Sequence, residues 1–342
     1  MRSLAIGIVY DLLGSLPRRP GEPFDADAEF EPEATVEALE AALRRLGHRP
    51  LRLGNARALL AAAGKGDLPR LDAAFSIAEG EGSRNREAWG PVLLEMLGVP
   101  ALGSDALTLS ATLDKVWCKI VAAAAGVPTL PHLVLGGAEE AERAALPSPF
   151  PLFVKPRWEG TAKGIAPSSR VEDRAALARE VGRVTRLYRQ PALVEPFLMG
   201  AEYTVTLVGN APPRVLPVLQ RALETGTRIG LHALERHPAP ECGWSHLVAG
   251  GLEPPLEREL GELALRAFDA LECRDFARAD FRLDGAGRPF FLELNPLPTF
   301  APDGSFGVHA ELLGVPLEAL LAEVLEGGLR RLGLAPAGEG VR

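Results

Sequence analysis

The stretch 275–295, DFARADFRLDGAGRPFFLELN, carries residue types that can hold a divalent ion beside phosphate. It reads as a hairpin of two apolar-alternating strands around DGAG. Residues two apart on a strand share a face. Arg278, Asp280 and Arg282 therefore lie together on the first strand, and Glu293 and Asn295 on the second. Where the two faces coincide, two carboxylates and an amide converge. Hard oxygen ligands of this kind suit Mg²⁺, with Mn²⁺ as the alternative, next to nucleotide phosphates. Such an ion withdraws charge from a transferring phosphoryl group. The competing reading is ordinary salt bridging of Asp280 and Glu293 with nearby arginines on an exposed sheet face.

Other residues point to phosphate as well. Lysine is scarce, with five among 37 basic residues, yet Lys155 sits inside the apolar strand LFVKP. A buried ammonium is costly unless it meets an anion or reaches solvent. Phosphate oxygens are a natural partner, and solubility of an edge strand is the plainer explanation. The loop that follows, RWEGTAKG, offers backbone N–H groups, the Thr161 hydroxyl and the Lys163 ammonium. A loop of this kind can close over phosphates and exclude water. Glu195 in ALVE and Glu202 in AEYTV can accept from an adenine amino group or a ribose hydroxyl, unless they simply face solvent. Neither a G-x-G-x-x-G turn nor a P-loop is present. The six histidines form no H-x-x-x-H or H-E-x-x-H pattern, and His237, Cys242 and His246 make at most a weak zinc candidate.

The elements that must position these groups follow from periodicity. LAIGIVY (4–10) reads as a buried first strand, EATVEALEAALRRLG (33–47) as a helix, and PLRLG (50–54) and LDAAFSIAE (71–79) as strands. With a helix over 86–98, this alternation predicts an open α/β domain over 1–105. One helix is expected over 108–126, with Lys115 and Lys119 on one face. A strand, a Gly-containing loop and a second short strand are expected over 149–165. A helix follows at about 172–189, then paired or consecutive strands over 192–209 around a Met-Gly turn, and an amphipathic helix at 256–272. The region 211–250 reads as irregular.

Composition sets the bounds. A 342-residue chain that is 47% hydrophobic can bury more than one core. A net charge of −8 and the lack of basic, aromatic-interleaved stretches argue against nucleic acid and anionic membranes as partners. Three scattered cysteines suggest reduced thiols in a cytoplasmic chain. The apolar N-terminal run is broken by Asp11 and Gly14, against a secretory signal, and no stretch reaches 18 uncharged apolar residues.

Four blocks, LDKVWCKIVAAAAGVPTLP (113–131), FVKPRWEGTAKGI (153–165), VEPFLMGAEYTV (194–205) and DFARADFRLDGAGRPFFLELNPLP (275–298), occur in an order that resembles the ATP-grasp fold. Within that fold the chain resembles the D-alanine–D-alanine ligase family, from about residue 30 to 326. The resemblance implies an N-terminal open α/β domain (1–105), a central α+β lid subdomain (106–200), a C-terminal α+β domain (201–330) that binds ATP and Mg²⁺, and a tail (331–342). It implies that Lys115, Lys155 and Lys163 contact phosphates, that Glu195 and Glu202 serve the adenine and ribose side, and that Thr161 stands where the loop usually has serine. It also implies Asp280, Glu293 and Asn295 as Mg²⁺ ligands, with Arg278 orienting the acyl-phosphate oxyanion. The implied substrates are small amino acids or peptides, joined in two steps. A carboxylate attacks the γ-phosphate of ATP to give an acyl phosphate and ADP. An amine then attacks the acyl carbon and releases phosphate. Family membership further implies a homodimer, for which no sequence feature speaks.

The departures concern the other substrate half. Where the family has His-Gly leading into Gly-Glu-Asp-Gly, this chain has SIAEGEGSRNRE (76–87), with Glu79 in the histidine's place, and this region helps bind the first D-alanine. The lid motif is replaced by HALERHP (232–238), where Arg236 takes the lysine's position. Thr299 follows NPLP where glycine is usual, and Ser305 stands for the serine expected after it. Ligation of two D-alanines, the same chemistry on a different amino acid or peptide, and a non-catalytic ATP-binding protein are the three readings this leaves.

Overall fold

The structure, a computed structural model, describes residues 2–17, 20–234 and 247–336. Three sheets make up the chain. The first has the order β2-β1-β3-β4, with all strands parallel. It is built from β1 (Ala5–Tyr10), α1 (Glu33–Arg45), β2 (Arg49–Gly54), α2 (Ala56–Lys65), β3 (Ala73–Ile77), α3 (Trp89–Met96) and β4 (Ala101–Leu102). Helices on both faces require strands that are apolar on both sides. AIGIVY and AAFSI meet that need, and every residue of β3 is buried.

The expected single helix over 108–126 is two helices, α4 (Ala106–Leu113) and α5 (Lys115–Ala124). Apolar spacing runs straight through the junction, but Asp114 leaves the helical conformation there and caps α5 by accepting from the Val116 and Trp117 N–H groups. Both helices pack on the C-terminal sheet, and α5 lies beside β14 and α9.

The second sheet has the antiparallel order β5-β8-β6-β7. It comprises β5 (Leu133–Leu135), β6 (Leu152–Pro156), β7 (Arg170–Val171) and β8 (Ala192–Pro196). Helices α6 (Ala138–Arg143) and α7 (Arg174–Tyr188) cover one face. The short strand expected before residue 165 lies further on, at β7, because 161–164 form a turn in which Thr161 and Ala162 have positive φ.

The third sheet runs β12-β11-β9-β13-β14, with β10 paired to β9. Its elements are β9 (Glu202–Val208), β10 (Arg214–Val215), β11 (Leu219–Arg221), α8 (Leu231–Leu234), β12 (Leu247–Ala249), α9 (Pro254–Ala270), β13 (Phe276–Leu283), β14 (Pro289–Asn295), α10 (Ser305–Leu313) and α11 (Leu317–Arg331). The strands over 192–209 are thus consecutive but unpaired. β8 ends in the second sheet and β9 starts the third. The C-terminal α11 returns to pack on α1 and closes the first core. No helix among the described residues is long and apolar enough to cross a membrane.

Candidate active site

A cavity of about 620 Å³ lies where the three sheets meet, and the expected hairpin forms one wall of it. Asp280 stands opposite Glu293, and Arg278 opposite Asn295. On the other side of β13, Asp280 faces Thr204 and Arg282 faces Glu202. A bulge sets the parity of β14. Asp280 pairs with Glu293, yet Phe281 pairs with Phe291, so Leu292 is the extra residue. In a regular strand Phe291 would share a face with Glu293. The extra residue turns Phe291 into the core, fully buried against Phe281, while Glu293 and Asn295 keep facing the cavity. At the bulge the Phe291 N–H donates to Pro128 O at 2.8 Å, and its carbonyl accepts from Lys119 Nζ at 3.0 Å.

The carboxylates of this wall are matched by cations. Lys115 Nζ lies 2.7 Å from Glu293 Oε2, and Arg278 Nη2 lies 2.9 Å from Asp280 Oδ2. Thr204 donates to Asp280 at 2.6 Å. Burial alone would raise the Glu293 carboxyl, but Lys115 and Lys155 together hold it far below the usual range. The salt-bridge alternative is right that Asp280 pairs with an arginine, but Glu293 pairs with Lys115 instead, and Asp280 is only 4% exposed. Among the described residues no three His, Cys, Asp or Glu side chains stand close enough to hold an ion by themselves. Two carboxylates in register with an amide beside them nevertheless fit a hard cation whose remaining ligands are phosphate oxygens.

The facing wall is the second sheet. Lys155 and Glu195 project from one face of β6 and β8, whose other face holds Leu152, Val154 and Val194 in the core. Glu195 bridges two lysines, at 2.8 Å from Lys119 and 3.0 Å from Lys155. Burial raises the Glu195 carboxyl, but the two ammonium groups outweigh that and bring it down to about 2. Its carboxylate is therefore spent on two lysines. Glu202 meets Arg282 at 3.3 Å and Arg221 at 3.7 Å, and burial pushes it above its ordinary value despite them. Between the walls, Phe153, Phe197, Leu198, Ile229 and Leu247 give the cavity an apolar stretch of lining.

The loop 157–165 is held from both sides. Asp114 accepts a two-pronged pair from Arg157, both at 2.8 Å, and the Trp158 indole N–H at 3.1 Å. From the N-terminal side, Glu29 accepts from the Gly160 N–H, from Lys163 at 3.2 Å and from Arg86. Asp25 accepts from the Gly164 N–H at 2.8 Å. Burial works against the Glu29 charge, yet Arg86 and Lys163 bring its carboxyl down to about 2.

Lys115, Lys155, Lys163, Thr161, Glu195, Glu202, Arg278, Asp280, Glu293, Asn295 and Glu79 all line this one cavity. Arg236 falls outside the described residues. Glu29, Glu31 and Glu87 also line the cavity without having been singled out. Glu87 closes the divergent 76–87 stretch, which was its only signal. Glu29 and Glu31 come from a segment without regular structure, where periodicity says nothing.

A family model described as the D-ala D-ala ligase C-terminus matches residues 121–326. The uncharacterized protein y4sG of Sinorhizobium fredii is 30% identical and covers 92% of this chain and 93% of its own length. A D-alanine–D-alanine ligase of Ectopseudomonas mendocina is 31% identical over 75% of this chain and 77% of its own length. Among solved structures, a D-alanine–D-alanine ligase from Bacillus anthracis is similar with a TM-score of 0.70 at 19% identity, covering 96% of this chain and 98% of its own. The same enzyme complexed with ATP gives 0.68.

Proposed function

This chain belongs to the D-alanine–D-alanine ligase family, and we propose that it is an ATP- and Mg²⁺-dependent ligase joining a carboxylate to an amine through an acyl phosphate. It has the ATP-grasp fold of that family, with N-terminal, lid and C-terminal units. One observation carries the reading: two different sheets deliver Lys155 and the Asp280–Glu293–Asn295 row to opposite walls of a single cavity, with Lys115 reaching in from α5.

The apolar lining at Phe197 takes the adenine, and Glu202 takes the ribose hydroxyls. Lys115 and Lys155 hold the phosphates, and the loop at Gly160–Lys163 covers them and excludes water. Asp280, Glu293 and Asn295 would hold Mg²⁺, which when bound withdraws charge from the transferring phosphoryl group. Arg278, held by Asp280, meets the negative charge that develops on the acyl oxygen. Lys163 shares Glu29 and Glu159 with Arg86, so closing the loop brings its charge to the phosphates without leaving an acid unpaired.

D-Alanine is the first candidate for both substrates, with a place in cytoplasmic peptidoglycan synthesis. A different amino acid or peptide is the second reading. The family model begins at residue 121, so Glu79 and Glu87 lie outside it. A non-catalytic role is disfavoured by the complete row of lysines and acids around the cavity. The deciding assay offers the purified protein, with ATP and Mg²⁺, single D- and L-amino acids and pairs of them, and measures phosphate release and product. D-Alanyl-D-alanine formation establishes the first reading. ATP binding without turnover on any pair overturns the ligase assignment.

A further inference from the structure

The N-terminal end of the cavity holds more acid than its cations match. Glu29 and Glu159 share Arg86 and Lys163. Among the described residues, Glu31, Glu79 and Glu87 have no ion pair, although all three line the cavity. Glu31 accepts from the hydroxyls of Thr35 at 2.7 Å and Thr299 at 3.0 Å. The Glu79 and Glu87 carboxyls lie within hydrogen-bonding reach of each other. Burial pushes Glu79 well above the carboxylate range and takes Glu87 up to about 7, against the pull of Arg86.

A second observation points to a ligand at the same end. Ser305 Oγ is buried, at 3% exposure, lines the cavity and has no hydrogen-bond partner. Buried hydroxyls are nearly always bonded. Ser305 follows Gly304, which packs on Thr299, the residue that donates to Glu31. The hydroxyl and the surplus acids thus line one cavity, with Thr299 between Ser305 and Glu31.

Resting on the ligase reading above, we propose that the acyl donor is an amino acid or short peptide bearing a second ammonium group, held by Glu79 and Glu87. One α-ammonium is satisfied by a single carboxylate such as Glu31. The Glu79–Glu87 pair then remains, and a second ammonium supplies the cation that these two cavity-lining acids lack. In the stretch where the family carries a histidine, a carboxylate reverses the sign of the charge that is preferred. An aliphatic side chain there would leave two buried carboxyls with only each other.

The test uses the full chain with ATP and Mg²⁺ and follows ADP release in both D and L series. The paired substrates are 2,4-diaminobutyrate with norvaline and ornithine with norleucine, each with alanine as the second amino acid. The expected result is a diamino preference of at least about tenfold in kcat/KM, which falls toward one in Glu79→Gln and in Glu87→Gln. Equal or better use of the uncharged isosteres by the unaltered protein overturns the proposal, whether or not the variants fold. Equal losses on both members of a pair in the folded variants also overturn it. Turnover of alanine alone, with no diamino preference, defeats this inference and leaves the ligase reading standing. No ADP release with any pair defeats both.

Discussion

The two ends of the cavity are built on opposite electrostatic plans. Around the C-terminal hairpin, each acid has a cation of its own: Glu293 has Lys115, Asp280 has Arg278, Glu202 has Arg282, and Glu195 has two lysines. At the N-terminal end, Glu29 and Glu159 compete for Arg86 and Lys163, and Glu31, Glu79 and Glu87 have no cation partner among the described residues. A balanced wall suits a ligand such as a metal–nucleotide complex, whose own charges are largely internal. A surplus of acid suits a ligand that arrives with positive charge. The family model spans the hairpin side of the cavity and begins after residues 25–31 and 76–87.

The contrast can be broken at several points. Glu293→Ala should lower Mg²⁺-dependent ADP release by about a thousandfold with the fold retained by thermal melting, and near-normal turnover would sink the metal assignment. Lys119→Met removes one of the two cations on Glu195. It should destabilise the chain by about 3–5 kcal/mol in denaturant titration, because a buried acid loses half its compensation. An effect below about 1 kcal/mol would show that the matching at this end is dispensable.

One acid from each end, Glu195 and Glu87, should titrate in opposite directions. Glu195 is depressed to about 2, so its contribution is complete above the unfolded value near 4.5 and is lost as pH falls toward 2. Glu87 is raised from 4.5 to about 7, so its contribution is complete below 4.5 and is lost as pH rises through 7. Each amounts to on the order of 2–3 kcal/mol. Melting curves from pH 4 to 8 should therefore show a loss on the upper side that Glu87→Gln removes, and an unchanged profile in that variant would break the contrast. The smallest effect is expected for Thr299→Val, which takes one donor from Glu31 and should cost about 1 kcal/mol in melting experiments.

The hairpin was legible because period two places Asp280, Glu293 and Asn295 without any tertiary information. The bulge at Leu292 was not, since FFLELN reads as a regular strand until Phe291 must enter the core. Lys155 stood out as a charge in an apolar strand. Its pairing with Glu195, and that of Lys119 with the same acid, was not legible, because the triad forms only when α5, β6 and β8 pack together. The break between α4 and α5 carried a signal in Asp114, a good cap residue, which the continuous apolar spacing hid. The acids of residues 25–31 are readable as acids in the sequence, and only the fold brings them to the loop at Gly160.

Lys119 grips the carbonyl of Phe291 on one sheet and Glu195 on another. Mechanically, that makes it the spine of a book. A swing of the central sheet away from the C-terminal sheet about this point would move Lys119 least and the margin where Gly160 and Gly164 meet Glu29 and Asp25 most. The hydrogen bonds and ion pairs at that margin are the contacts such a swing would have to break.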